Sequence, residues 1–186
     1  MRVVGGKHRG RPLLSPGGHA IRPTSDRVRE ALFNILANKS WAGTAPLPIG
    51  ARVIDAFAGT GALGIEALSR GAKEVAFIER DRMALKVIEQ NLKSLQHQAE
   101  ARVLVRDATD PGRAVFQADL VLMDPPYGQD LAPRCLVALV ENGWLATGTI
   151  CVIETQKKEV VDMPTGFNRI DSRTYGNSKL VFLETW

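Results

Sequence analysis

The residues richest in chemistry are Asp124-Pro125-Pro126-Tyr127, directly after the apolar run Leu120-Val121-Leu122-Met123. An amino group conjugated to an aromatic base is a poor nucleophile, because its lone pair is delocalised into the ring. It becomes reactive when acceptors hold its two hydrogens and localise that pair. The Asp124 carboxylate and the Pro125 carbonyl could be two such acceptors, Pro125 and Pro126 stiffen the turn, and Tyr127 offers a ring face to a flat base. Alone, the tetrapeptide reads better as a strand-end turn with a packed tyrosine. Its surroundings decide between the two.

Those surroundings alternate strands and helices. Arg52 to Asp55 reads as a first strand, Gly64 to Ser69 as a helix, Val75 to Glu79 as a second strand and Met83 to Leu95 as a second helix. Ala101 to Arg106 gives a third strand, Asp119 to Met123 a fourth, Leu131 to Asn142 a helix and Thr149 to Ile153 a fifth strand. Near-continuous apolar strands separated by helices predict an α/β fold, Rossmann-like, with a mostly parallel sheet covered on both faces. The tail from Phe167 to Trp186 predicts a hairpin turning at Tyr175-Gly176-Asn177-Ser178. Ahead of this body, Val3 to Gly6 and Arg11 to Leu14 bracket a basic, Gly-rich turn that predicts a small hairpin. Thr24, Ser25 and Asp26 offer caps to a helix running to Asn38 with Val28, Leu32, Ile35 and Leu36 on one face. Trp41 to Gly50 reads as a connection. The organisation expected is a basic hairpin-and-helix extension over residues 1–46 and a body over 47–186.

Ligands of open α/β sheets bind beyond the carboxyl ends of the strands. The first strand ends in Asp55-Ala56-Phe57-Ala58-Gly59-Thr60-Gly61-Ala62-Leu63-Gly64, and Glu79 ends the second. Gly59, Gly61 and Gly64 form GxGxxG, which by spacing alone suits a dinucleotide. On that reading the chain is a nicotinamide dehydrogenase, and Gly64 by itself means no more than close helix packing. Asp55 argues otherwise, since its charge would oppose a pyrophosphate but could accept from a cationic amino group. Here the sequence resembles the first motif of class I methyltransferases, and Arg106-Asp107-Ala108 matches the end of that fold's third strand. The resemblance implies S-adenosylmethionine as cofactor, with Asp55 on its amino end, Phe57, Gly59, Thr60 and Gly61 in the turn, Glu79 and Arg80 at the ribose, and Asp107 and Ala108 at the adenine.

The chain as a whole sets bounds. Its 186 residues, 45% apolar and 24% charged, suit one core. No apolar run approaches a membrane span and the start lacks a signal-type stretch, so a cytoplasmic protein is expected. Cys135 and Cys151 have no ligand spacing and read as reduced core residues, with no metal expected. Charge is uneven: residues 1–40 hold eight Lys and Arg against Asp26 and Glu30, while the rest holds sixteen basic and eighteen acidic groups. A basic end on a near-neutral body fits a polyanionic partner, although a merely soluble surface reads equally well. His8, His19 and His97 are scattered and receive no catalytic role. Trp41, Trp144 and Trp186 read as packing residues.

DPPY and its Asn variant are similar to motifs used on adenine N6, guanine N2 and glutamine amides, so the tetrapeptide leaves the amine open. Gly5-Gly6-Lys7-His8-Arg9-Gly10-Arg11-Pro12-Leu13, Arg22 to Asn34, Glu66 to Gly71 and Asn142-Gly143-Trp144-Leu145 resemble the bacterial small-subunit rRNA guanine-N2 methyltransferase family called RsmD. That resemblance implies a seven-stranded sheet whose last strand is antiparallel, and methylation of one guanine in 16S rRNA (rRNA position 966) within an assembling small subunit, by a monomer. It implies Asp124, Pro125, Pro126 and Tyr127 as the catalytic group, and Lys7, Arg9, Arg11, Arg22 and Arg27 as phosphate contacts. An adenine-N6 methyltransferase acting on DNA or RNA is the enzyme alternative, and a binding module that only carries the cofactor is another. The tail after Lys157 matches weakly and receives no role.

Overall fold

Strands that read as unbroken apolar runs must be covered on both faces, and the computed structural model of the chain, which describes residues 1–15, 25–39, 41 and 46–186, covers them. Seven strands form one sheet: β1 (Arg52–Ala56), β2 (Glu74–Glu79), β3 (Ala101–Val105), β4 (Ala118–Met123), β5 (Leu145–Gln156), β6 (Phe167–Tyr175) and β7 (Ser178–Thr185). Their spatial order is β3-β2-β1-β4-β5-β7-β6. β1 to β5 pair in parallel, and β7 runs antiparallel to both β5 and β6. The order reverses between β1 and β4, so the crevice at their carboxyl ends is where a ligand of such a sheet belongs.

Among the described residues four α-helices, α1 (Asp26–Asn38), α2 (Ala62–Ser69), α3 (Arg82–Leu95) and α4 (Leu131–Glu141), divide between the faces. On one face Val28, Leu32, Ile65, Ile88 and Leu92 pack with Val53, Leu122, Val152 and Leu180. On the other, Leu136, Leu139 and Trp144 pack with Ile54, Met123, Ile153 and Val181. Side chains alternate along a strand, so Asp55 two residues after Val53, Asp124 two after Leu122, and Glu154 two after Val152 continue the first face toward the crevice.

Ends differ from the sequence-based expectation for local reasons. α2 begins at Ala62 rather than Gly64, because Gly61 takes the left-handed conformation (φ 76°) and lets the helix start two residues early. β5 runs from Leu145 to Gln156, well past the expected Ile153, because β7 pairs with it as far as Gln156. Ser25 caps α1 through Val28 N, while Thr24 lies outside the described residues. The tail forms the expected hairpin about Gly176-Asn177.

At the N-terminus the hairpin closes with a single bridge, Arg2 to Pro12, around a 3-10 turn at Gly6–His8. Gly10 N bonds Val3 O, Val3 N bonds Arg11 O and Leu13 N bonds Met1 O, so the bonds pass on either side of the Arg2–Pro12 pair and Pro12, which has no N–H to give, leaves none unmade. Val3 and Leu13 are buried in the same apolar cluster as α1 and the strands. Trp41 stacks on Phe182 of β7 at 5.4 Å and donates its indole N–H to Leu36 O, which fixes α1 against the sheet. Trp144 is likewise buried, but Trp186 is 66% exposed and does not serve the packing role expected of it.

Candidate active site

Asp55 sits at the end of β1, almost wholly buried, and its Oδ2 accepts from Gly64 N at 2.8 Å. Burial pushes its carboxyl well above the ordinary carboxylate range. The Gly64 N–H pulls the other way, and the neighbouring Asp124 and Glu79 charges add to the rise. A cationic group arriving beside Asp55 would offset this cost. The turn that follows is tightly built. Phe57 is left-handed at φ 59°, unusual for a bulky residue and worth about 1–3 kcal/mol of strain, the kind found at ligand sites. A side chain at Gly59 would meet nothing closer than 4.0 Å, so that glycine keeps the backbone open to a ligand, whereas one at Gly64 would lie 2.4 Å from the Phe77 ring. The third glycine of the motif is therefore a packing residue.

Glu79 and Asp107 continue the line of strand-end carboxylates. Glu79 Oε2 accepts from Gly59 N at 2.8 Å and Oε1 from Arg80 N and Asp81 N, tying the end of β2 to the first turn. Asp107 Oδ1 accepts from the amide and hydroxyl of Thr109, and Oδ2 pairs with Arg80 Nη1 at 2.7 Å. Its carboxyl lies below the ordinary range, held there first by the Thr109 N–H, then by the Thr109 hydroxyl and Arg80, against some burial. Ala108 and Thr60 are buried beside them. The expected cofactor residues thus come together along the ends of three adjacent strands.

Asp124 to Tyr127 leave β4 at the crevice, with Pro125 buried, Pro126 exposed and Asp124 and Tyr127 half-buried. Pro125 to Tyr127, the start of α4, Ile153 to Thr155 and Glu159 to Val161 bound a shallow cleft open to solvent. Gly128 N bonds Glu159 Oε1 at 3.1 Å, joining the turn to the segment after β5. Glu154 in this cleft wall went unassigned in the sequence, although it stands as far beyond Val152 as Asp124 stands beyond Leu122.

The basic arm is docked. Val4 N bonds Glu66 Oε2, Ser69 Oγ donates to Gly5 O and accepts from His8 N, and Leu14 exchanges two bonds with Asn91. Gly6 is left-handed, and a side chain on it would lie 2.0 Å from Ser69 O, so α2 admits only glycine there. Lys7, Arg9, Arg11 and Arg27 are exposed, while Arg22 lies outside the described residues. Arg29, counted above among the cations of a polyanion-binding end, is 0% exposed. It pairs with Asp26 at 2.8 Å and Glu66 at 3.7 Å, donates to Arg2 O, and faces no polyanion. The sequence spacing of Asp26 and Arg29 carried half of that signal, and Glu66, distant in sequence, carried the other half out of view. His8 and His97, scattered in sequence, meet at 2.9 Å between their Nε2 atoms. Cys135 and Cys151 are free and buried, and burial raises both thiols. No helix among the described residues is long and apolar enough to cross a membrane.

Comparison with known proteins agrees with this fold. Residues 1–184 match the family model described as conserved hypothetical protein 95. The ribosomal RNA small subunit methyltransferase D of Haemophilus influenzae is 34% identical over 180 residues, covering 95% of this chain and 89% of its own. The protein of the same name from Escherichia coli K12 is 38% identical over 157 residues, covering 84% and 75%. A solved Escherichia coli structure, described as a candidate methyltransferase, superposes with a TM-score of 0.84 at 32% identity over 100% of this chain and 97% of that one.

Proposed function

The chain belongs to the conserved hypothetical protein 95 family, that of its RsmD relatives, and on that premise we propose that it methylates guanine N2 in small-subunit ribosomal RNA using S-adenosylmethionine. The observation that carries the reading is the placement of Asp124-Pro125-Pro126-Tyr127 at the carboxyl end of β4, across the sheet's reversal point from Asp55 at the end of β1. A binding module has no need of two amine-hydrogen acceptors at that point.

The residues fit the cofactor by the chemistry of their donor set. Asp55 takes the cationic amino end, whose charge offsets the cost of its burial. Phe57, Gly59, Thr60 and Gly61 let the backbone approach, Glu79 accepts from the ribose diol with Arg80 beside it, and Asp107 with the Ala108 amide addresses the adenine edge. Glu79 Oε1 and Asp107 Oδ1 each already accept two hydrogen bonds, while Glu79 Oε2 and Asp107 Oδ2 each accept one and keep a second lone pair for the ligand. When bound, S-adenosylmethionine supplies a sulfonium methyl for in-line displacement.

The chain's own part is alignment. Asp124 and the Pro125 carbonyl hold the two amine hydrogens so that the nitrogen lone pair points at the methyl, and Tyr127 stacks on the base. No strong base is required, because the amine becomes acidic as it is methylated and releases its proton during or after transfer. Lys7, Arg9, Arg11, Arg22 and Arg27 contact phosphates. The hairpin tip docks on Ser69 at the carboxyl end of α2, about 12 Å from the helix start for its eight residues. α2 is itself wholly buried, so an RNA reaching both tip and crevice would span about that distance over the surface above it.

The test is transfer of a labelled methyl group from S-adenosylmethionine to unmodified small-subunit rRNA and to its assembly particles, with nucleoside analysis. N2-methylguanosine is expected. N6-methyladenosine would keep the mechanism and overturn the base assignment, and no product on either substrate would overturn the RNA reading.

A further inference from the structure

We propose that Glu154 reads the ring N1–H of the target guanine and so makes this site select guanine over other amino-bearing bases. The inference rests on the guanine reading above and adds the residue that enforces it. Ile153 of β5 stands in register with Met123 of β4, so the next residue, Glu154, is the ladder neighbour of Asp124 and shares its face of the sheet. Glu154 is 5% exposed, and its Oε2 has no hydrogen-bond partner among the described residues. It also borders the cleft that Pro125, Pro126 and Tyr127 open to solvent. A buried acceptor without a donor has lost its hydration with nothing gained. Such a group one strand from Asp124 is accounted for if the donor arrives with the substrate.

The chemistry of the edge names that donor. The Asp124 carboxylate, the Pro125 carbonyl and the Glu154 carboxylate make a row of acceptors. Guanine presents a matching row of donors, two hydrogens on N2 and one on N1. Adenine and cytosine present two amino hydrogens beside a bare ring nitrogen, whose lone pair a carboxylate repels. With Asp124 and Pro125 holding the amine, the next group along the guanine edge is the one Glu154 would bind. Glu154 exchanges no atom in the reaction; it sets specificity and the angle at which the amine is held.

The test uses small-subunit rRNA particles carrying, at the target position, either guanosine or the 2-aminopurine riboside, which keeps the amine but has a bare N1. The wild-type chain is expected to prefer guanosine strongly in kcat/KM. Glu154→Gln, whose amide can donate to a bare N1, is expected to narrow that preference by roughly 10- to 100-fold, the discrimination of one well-placed hydrogen-bond pair. Its affinity for S-adenosylhomocysteine should match wild type, which a merely structural role in folding would not predict together with a changed preference. A Glu154→Gln chain that binds S-adenosylhomocysteine normally and keeps the wild-type preference would overturn the role while leaving the guanine reading intact. So would equal use of both nucleosides by the wild-type chain, with no variant needed. Methylation of adenosine instead of guanosine in native rRNA would overturn both.

Discussion

Charge is held in opposite ways by the strand-end carboxylates and by the arm cations. Asp55, Glu79 and Asp107 are each fixed by backbone N–H groups, three of them in the case of Glu79. Lys7, Arg9 and Arg11 stand exposed, with no ion pair among the described residues. Groups that must address single atoms of a small ligand are positioned before it arrives. Groups that must address a polyanion need only a surface and a field. Substitution should therefore act steeply at the strand ends and by graded, salt-dependent steps on the arm.

The steepest effect is expected at Asp124. Asp124→Ala should lower the rate of methyl transfer by roughly 10² to 10³, the scale of one preorganised polar group, with the affinity for S-adenosylhomocysteine changed far less. Single-turnover kinetics alongside calorimetry measure both. Turnover at the wild-type rate would remove Asp124 from the mechanism and with it the contrast between the two regions.

Next in size is the buried anchor that makes the arm part of the body. Arg29 and Glu66 are both fully buried, and Arg70 also pairs with Glu66 at 2.7 Å. Arg29→Ala leaves Glu66 short of one partner in a dry site and should cost about 3 kcal/mol of folding stability in a urea titration. Arg29→Met, which fills the volume without a charge, tests whether the loss is electrostatic; if it comes from the missing cation, this variant stays near the alanine value. A change below about 0.5 kcal/mol, the range of an ordinary surface substitution, would mean the ion pair is not what docks the arm.

A smaller, graded effect is expected of the three arm cations. Changing Lys7, Arg9 and Arg11 together to Ala should leave the melting temperature within about 2 °C of wild type, since their side chains are exposed. The slope of log K against log salt for RNA binding should fall by roughly two to three phosphate contacts. An unchanged slope would show that the arm's exposed face does not meet the RNA.

These sizes follow from what the sequence made legible. The strand and helix alternation, the line Asp55, Glu79, Asp107 and the DPPY turn were readable, because each follows an apolar run whose end is marked by its own polar residues. What was hidden depends on partners distant in sequence. Arg29 looked like one more arm cation until Glu66, 37 positions away, was found against it. His8 and His97 lie 89 positions apart and meet only because α3 ends beside the arm. Glu154 fell just past the expected end of the fifth strand at Ile153, since that strand is prolonged by pairing with β7, an element the local pattern at Glu154 does not reveal.

The histidine contact gives the smallest effect, and it tests whether the arm's docking is pH-sensitive. In the pair His8 Nε2 to His97 Nε2, one ring must donate and the other accept, so adding a proton to the acceptor removes the bond. His8 lies below its ordinary value of 6.5, through burial first and then the nearby His97, Lys7 and Arg11 charges. Glu100 Oε2 is the carboxylate that pairs with these rings among the described residues, 3.6 Å from His97 Nδ1 and too far for a hydrogen bond. Because the folded arm takes up its proton at lower pH than the unfolded chain, the unfolded state binds more protons just below pH 6.5. Stability must therefore fall as pH drops through that window and be insensitive to this group above it. The measurement is hydrogen exchange at the amides of Val3 and Gly10, whose bonds close the hairpin, compared at about pH 7.5 and pH 5.5 after correction for intrinsic rates. Protection should weaken at the lower pH in the wild-type chain and lose that dependence in His8→Gln. Equal pH dependence in both chains would leave Glu66, Ser69 and Asn91 as the contacts that hold the arm, and docking would then owe nothing to the titration of His8.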